Sequence, residues 1–254
     1  MACNMGDNIF RFKHFSVRNE RSAMKVGTDG VLLGACATIG GNDTCILDAG
    51  TGTGTIALML AQRYSSLQTQ RSRSILGIDI DRPSAEEAAA NFSVSPWAGI
   101  LSADNLPLQS VSGTFDLIVS NPPFYDASLP NPDPRKNTAR HAASREEELR
   151  QNAPLSYRTL LEYASTHLSA SGRLSVILPS DCEKDLLRTA RTCGLHPFRI
   201  IRVRTVPHKA PMRIIAEFSF NRAALPAEEA LTIQEKGRYT EEYTDLMKDF
   251  YLWA

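Results

Sequence analysis

Apolar positions in this chain fall into short runs separated by segments of helical spacing. Five of the runs are of strand length: Cys45–Ala49, Ser74–Asp79, Ile100–Asp104, Phe115–Ser120 and Arg173–Leu178. Leu117-Ile-Val119 shows best the β-branched bias of a strand covered on both faces. Between the runs, Thr55–Tyr64, Pro83–Phe92 and Leu155–Leu168 repeat their apolar residues as helices do. A further helix opens with Ser180 and Glu183 as a capping pair and stops at Gly194. This alternation predicts a parallel sheet with helices on both faces. Two later strands, Phe198–Val206 and Met212–Phe220, are joined only by Pro207-His-Lys-Ala-Pro211. No crossover helix fits that link, so the pair must be antiparallel. The expectation is a doubly wound α/β fold with a mixed seven-stranded sheet, mostly parallel with one antiparallel edge strand.

Upstream, Phe10, Phe12 and Phe15 interleave with Arg11, Lys13 and His14, predicting a covering strand or hairpin, and Thr28-Asp29-Gly30 caps a helix over Val31–Ala37. Residues 1–44 thus read as an N-terminal cover segment and 45–254 as the main domain. Residues 125–150 are polar and carry three prolines, a long loop of the kind that is functional or disordered, with Ser144 and Glu147 as a capping box near its end. Tyr243, Leu246, Met247 and Phe250 recur at helical spacing, a docking helix within 239–253.

Composition narrows the class. The five cysteines are scattered without a Cys-x-x-Cys pair, which argues against a disulfide framework or a zinc site and for a reducing compartment. The N-terminus lacks the apolar core of a signal peptide and no run is long enough to span a bilayer. A cytoplasmic protein with no membrane partner and no metal is expected. Net charge is zero, yet residues 186–216 hold seven Lys or Arg, two His and no acid. Such a stretch is either a sheet edge guarded by basic side chains or a surface for a phosphate backbone.

The chemistry concentrates where strands end. Asp48-Ala-Gly50-Thr-Gly52-Thr-Gly54 joins a strand to a helix, and such a turn lets the backbone approach a ligand beside the free N–H groups of the helix. The NAD fingerprint would need a third glycine where Thr55 stands, and Asp48 would repel a pyrophosphate. A cationic ligand suits Asp48 better. Asp79, at the tip of the second strand, is placed to accept hydrogen bonds from ribose hydroxyls, and Asp104 tips the third strand. In a parallel sheet these acid-tipped ends converge on one crevice. The strand 115–120 stops at Asn121-Pro122-Pro123-Phe124; the prolines end the ladder, and Asn121 is held extended because a proline follows it.

Taken together, these motifs resemble the class I S-adenosylmethionine-dependent methyltransferases, whose sheet is Rossmann-like. Residues 48–54 look like their first motif, Asp79 like the ribose acid, Asp104 like the acid near the adenine amino group, and residues 121–124 like the fourth motif of the branch that methylates planar amino groups. The resemblance implies S-adenosylmethionine as cofactor, held by Asp48, Gly50, Gly52, Gly54, Asp79, Asp104, Asn121 and Thr28. It implies catalysis by Asn121, Pro122 and Phe124. An aromatic amine is a poor nucleophile because its lone pair is delocalised. The Asn121 side-chain oxygen and the Pro122 carbonyl would accept its two N–H groups and turn the lone pair toward the methyl, while Phe124 stacks on the base. Orientation of this kind needs neither metal nor covalent nucleophile.

The tetrapeptide does not choose between adenine N6, guanine N2 and a glutamine amide. Phe10-Arg-Phe-Lys-His-Phe15, Met24-Lys-Val-Gly-Thr-Asp-Gly-Val-Leu-Leu-Gly-Ala35 and Pro207-His-Lys-Ala-Pro-Met-Arg213 are similar to segments of the bacterial tRNA(Val) adenine-37 N6-methyltransferases. That resemblance implies a tRNA partner and a monomer, with Lys25, Arg140, His141, Arg204, His208, Lys209 and Arg213 facing RNA. Single-stranded anticodon loops are read by stacking, and their phosphates by basic side chains. The alternatives are a guanine N2 rRNA methyltransferase and a protein glutamine N5-methyltransferase, for whose helical substrate domain residues 1–44 are too short. A cofactor-binding scaffold without turnover is a further alternative, from another class.

Overall fold

A computed structural model describes residues 8–67, 71–123 and 155–254. In chain order it contains β1 (Ile9–Arg11), β2 (Ser16–Arg18), α1 (Thr28–Cys36), β3 (Cys45–Ala49), α2 (Thr55–Ser65), β4 (Ser74–Ile78), α3 (Arg82–Ser93), β5 (Leu101–Asp104) and β6 (Phe115–Ser120). There follow α4 (Tyr157–His167), β7 (Leu168–Pro179), α5 (Glu183–Thr192), β8 (His196–Arg204), β9 (Arg213–Ser219), β10 (Ala227–Thr232), a two-stranded hairpin at 234–239, and α6 (Glu241–Met247). The main sheet has eight strands in the order β10-β8-β9-β7-β6-β3-β4-β5. From β3 the chain winds outward through β4 to β5, then returns to the other side of β3 with β6 and β7. The reversal lies between β3 and β6, and the carboxyl ends at such a switch point form a crevice.

Alternate residues of each strand serve opposite layers. Ile46, Leu117, Val119 and Ile215 face a core with α1 and α2, whereas Leu47, Ile118, Leu174 and Ile214 face a second core with α4 and α5. Leu117, Ile118 and Val119 are fully buried, as expected for a strand covered on both faces, each stabilising by roughly 1.5–3 kcal/mol. Phe12, Phe15 and Val17 of the N-terminal hairpin belong to the first of these cores.

The sheet differs from expectation in two ways. The antiparallel strand, β9, is interior, paired to β7 on one side and β8 on the other. An eighth strand, β10, runs parallel to β8 at the edge. Its sequence Ala-Glu-Glu-Ala-Leu-Thr lacks strand propensity. It is held there by backbone pairing along all six residues and by burial of Leu231, with Glu229 beside Arg199 (2.7 Å) and Glu228 beside Arg202 (2.8 Å) of β8.

Two caps also differ. Gly27, not Thr28, precedes α1, with no side-chain cap, and Asp29 in the first turn binds Arg213 instead. Ser180 opens a 3-10 turn ahead of α5 and donates to the Pro211 carbonyl (2.5 Å), so it does not cap that helix. The caps of α4 and α3 come from Ser156, which forms a box with Thr159, and from Asp81, which accepts from Ser84. The expected box at Ser144 and Glu147 lies outside the described residues.

Candidate functional site

Two adjoining cavities of about 280 Å³ each open at the carboxyl ends of β3, β4 and β6, and Met24, Gly50, Gly52 and Asn121 line both. Joined at those residues, they fall in the ~300–1,000 Å³ range of small-molecule sites. The first reaches Asp79, Ile80, Leu106, Pro107, Pro123 and Leu155. The second is walled by Lys25–Gly30 and Thr53.

The glycine loop sets the floor. Gly50, Gly52 and Gly54 have φ of +74°, +55° and +82°, a left-handed path that side chains disfavour. At Gly54 a side chain is doubly excluded, because a Cβ would lie 2.4 Å from the Phe92 ring. The loop leads into α2, and the amide of Ala57 in its first turn donates to Asp48 (3.3 Å).

Asp48 is wholly buried. One carboxylate oxygen accepts from Thr51 (2.7 Å) and Ala57, while the other is buried without a hydrogen-bond partner among the described residues. Burial pushes its pKa up to about 7, against the lowering effect of those two hydrogen bonds. Asp79 bridges the amides of Gly52 (3.0 Å) and Asp81 (2.9 Å). Burial raises its pKa as well, the two N–H groups opposing. Asp79 lines the first cavity, whereas Asp48 lies behind the glycine loop and lines neither; two carboxyls made costly to ionise by desolvation favour a ligand that brings positive charge.

At the switch point, Ser120 donates to the Ala49 carbonyl (2.7 Å) and locks the end of β6 to β3. Asn121 follows directly. Its side-chain oxygen is buried and accepts no hydrogen bond among the described residues. A buried acceptor left without a donor costs about 1–3 kcal/mol, so an amide held this way marks a place for a ligand N–H. Pro122 is buried and Pro123 exposed. Phe124, Arg140 and His141 lie outside the described residues.

The other expected site residues separate into groups. Thr28 lines the second cavity with Lys25, whose ammonium donates to the carbonyls of Asn19 (2.8 Å) and Glu20 (2.7 Å). Asp104 ends β5 with its side chain exposed and lines neither cavity; it meets the site through its carbonyl, which accepts from the Asp79 amide (3.2 Å). The neighbouring wall is Leu106 and Pro107, which composition alone did not mark.

In the β8–β9 link His208 and Lys209 are exposed. Because β8 runs parallel to β7, this link projects at the same end of the sheet as Asn121. The Arg204 guanidinium donates to the Pro207 carbonyl (3.3 Å), and Arg213 pairs with Asp29 (2.8 Å) at the start of α1. Arg199 and Arg202, basic in sequence, are neutralised by Glu217, Glu229, Glu183 and Glu228.

Residues that line the first cavity but escaped the sequence reading include Ser22, Ala23, Ile78, Ile80, Ser84, Leu106–Leu108 and Leu155. A Cβ on Gly50 would sit 2.7 Å from the Leu155 side chain, so that glycine serves packing as well as turning. No helix among the described residues is long and apolar enough to cross a membrane.

Comparison with known proteins agrees with this geometry. Residues 26–151 match the methyltransferase small domain family. In solved structures the fold is similar to that of a protein described as a predicted O-methyltransferase from Agrobacterium tumefaciens (TM-score 0.61, 16% identity, 87% of this chain and 96% of that one). It is also similar to a methyltransferase from Pyrococcus furiosus (TM-score 0.54, 20% identity, 80% and 89%). Among sequences, the tRNA1(Val) (adenine(37)-N6)-methyltransferase of Bacteroides fragilis is 39% identical across 98% of this chain and 99% of its own. That of Porphyromonas gingivalis is 44% identical across 97% and 96%. Identity of this order over the full length, with the glycine loop and the Asn-Pro-Pro turn at one crevice, places the chain in the tRNA1(Val) (adenine(37)-N6)-methyltransferase family.

Proposed function

We propose that this protein transfers a methyl group from S-adenosylmethionine to the N6 amine of adenosine 37, just 3′ of the anticodon, in tRNA(Val), acting as a cytoplasmic monomer. The observation that carries this reading is the buried, unpartnered Asn121 oxygen where the two cavities meet. Asp48 and Asp79, whose charge burial makes costly, fit a cationic cofactor and its hydroxyls, with the Gly50–Gly54 loop beneath and Thr28 in the adjoining wall. S-adenosylmethionine, when bound, supplies an electrophilic methyl carbon on a sulfonium.

The protein's own part is orientation. The Asn121 oxygen and the Pro122 carbonyl accept the two N–H groups of the amine, which localises its lone pair and aims it. Because a proline follows, Asn121 has little backbone freedom, so this alignment is set before the substrate arrives. Neither group takes a proton itself, and the gain comes from hydrogen bonds that strengthen as the nitrogen turns tetrahedral. Phe124 is assigned to stacking on the base. Arg204, His208, Lys209 and Arg213, with Lys25, Arg140 and His141, are assigned to the tRNA backbone. The position of His208 and Lys209 at the same sheet end as Asn121 supports this.

The test is incubation with labelled S-adenosylmethionine and total bacterial tRNA, followed by nucleoside analysis. N6-methyladenosine at position 37 of tRNA(Val) is expected. Label in N2-methylguanosine, or in glutamine of an added protein, would refute the assignment.

A further inference from the structure

Residues 19–27, of which the proposed function uses only Lys25, form a strap that walls both cavities. Ser22, Ala23 and Met24 line the first cavity, and Met24 to Gly27 the second. The strap lies directly over the glycine loop: a Cβ on Gly52 would come within 3.4 Å of the Ser22 hydroxyl and 3.8 Å of the Met24 carbonyl. The strap has no regular secondary structure up to α1, so its backbone N–H groups need other partners. Helix α3 supplies them.

The Glu87 carboxylate, 3% exposed, accepts from the backbone amides of Glu20 (2.7 Å), Arg21 (2.9 Å) and Ser22 (2.9 Å). One helical turn on, Asn91 accepts from the Arg18 amide (2.8 Å) and donates both to the Arg18 carbonyl (3.1 Å) and to the Thr53 carbonyl in the glycine loop (2.9 Å). Ser84 contacts the Ser22 hydroxyl (3.1 Å), and Arg21 pairs with Glu86. The strap is then folded on itself by Asn19, whose side-chain oxygen accepts from the Val26 amide (3.1 Å).

We propose that Glu87 is a positioning residue for the cofactor: by gathering three consecutive strap amides on one buried carboxylate, it holds Ser22–Met24 against the glycine loop and so shapes the wall that S-adenosylmethionine meets. Glu87 touches neither cavity itself. A carboxylate is suited to this role because it presents only acceptors, whereas an amide would turn an NH2 group toward at least one of the three N–H donors. The inference rests on the methyltransferase reading of the site.

The test is Glu87→Gln, with Asn19→Ala as a second variant that loosens the strap from its far end without touching α3. For each, KM for S-adenosylmethionine, KM for tRNA and kcat at saturation are measured, with tryptic cleavage at Arg21 and Lys25 in the presence and absence of S-adenosylhomocysteine. The expected result is a rise of about tenfold in KM for S-adenosylmethionine, ~1.4 kcal/mol, with kcat within about twofold and a smaller rise in KM for tRNA, since the strap also carries Lys25. Cleavage at Arg21 and Lys25 should be faster in the variants, and S-adenosylhomocysteine should slow it in the wild type. If Glu87→Gln does not fold, Asn19→Ala carries the same expectation. An unchanged KM for S-adenosylmethionine in whichever variants fold overturns the proposal, as does an equal loss in kcat and both KM values. A wild type that binds S-adenosylmethionine while its variants bind equally well leaves the methyltransferase reading intact and removes only the strap. A wild type that binds neither cofactor nor product removes both.

Discussion

Asn121→Ala separates function from stability more cleanly than any other change at this site. The side-chain oxygen it removes is buried and accepts no hydrogen bond among the described residues. A buried acceptor that no donor meets costs about 1–3 kcal/mol, because its hydration is lost and not replaced. Deleting it should return part of this sum, set against the packing lost with a small side chain. Net stability should change by no more than about 1–2 kcal/mol in either direction, or ~2–8 °C in Tm for a chain of this size. Turnover should respond very differently. A hydrogen bond that matters chiefly as the nitrogen rehybridises is comparable to an oxyanion-hole contact, whose removal costs about 10²–10³ in kcat, ~2.7–4 kcal/mol. Thermal unfolding, calorimetric titration with S-adenosylhomocysteine and methylation of saturating tRNA measure the three quantities on one preparation. A folded, product-binding Asn121→Ala with turnover within tenfold of wild type would refute the orienting role. A variant that loses activity only because it unfolds several degrees earlier than this range would refute the stability argument.

Four further outcomes follow from the geometry. The Asp48 carboxyl is held at about 7 against an ordinary 3.8, so the folded chain keeps a proton that the unfolded chain releases. Its contribution to stability is complete below about pH 4 and is lost as pH rises through about 7. The Tm of Asp48→Asn should therefore gain on wild type across that window, while its cofactor affinity is lower and lacks the rise through pH 7 expected of the wild type; parallel curves would refute this. Gly54→Ala forces a left-handed alanine and a Cβ 2.4 Å from the Phe92 ring, and should lower stability by about 2–4 kcal/mol in urea unfolding. Lys209→Ala should raise KM for tRNA, leave KM for S-adenosylmethionine alone and reduce the salt slope of binding by about one. Arg213→Ala should raise both constants, since Arg213 also holds Asp29 in the cavity wall.

The site was legible in the sequence to the extent that it depends on local backbone chemistry. Glycines in the left-handed region, acids at strand tips and an asparagine pinned by a following proline are signals that a dozen residues carry by themselves; Gly50, Gly52, Asp79 and Asn121 line one cavity, while Asp48 is buried behind the loop on Thr51 and Ala57. The alternation of strand and helix likewise fixed the parallel core, because a crossover helix leaves few other arrangements. What the sequence could not show was what depends on partners distant along the chain. Residues 227–232 became a strand because their backbone pairs with β8 and buries Leu231, with Glu228 and Glu229 beside arginines about 30 residues earlier. For the same reason the basic run at 186–216 is narrower as an RNA surface than its composition implied, since Arg199 and Arg202 are spent on those acids and on Glu217 and Glu183. The order of β9 between β7 and β8 is a tertiary decision too, as antiparallel pairing alone does not say which of two strands takes the edge. The strap at 19–27 is the clearest case. Residues 19–23 carry no motif, and the packing of Glu87 and Asn91 beneath them makes an irregular segment into a wall of the site.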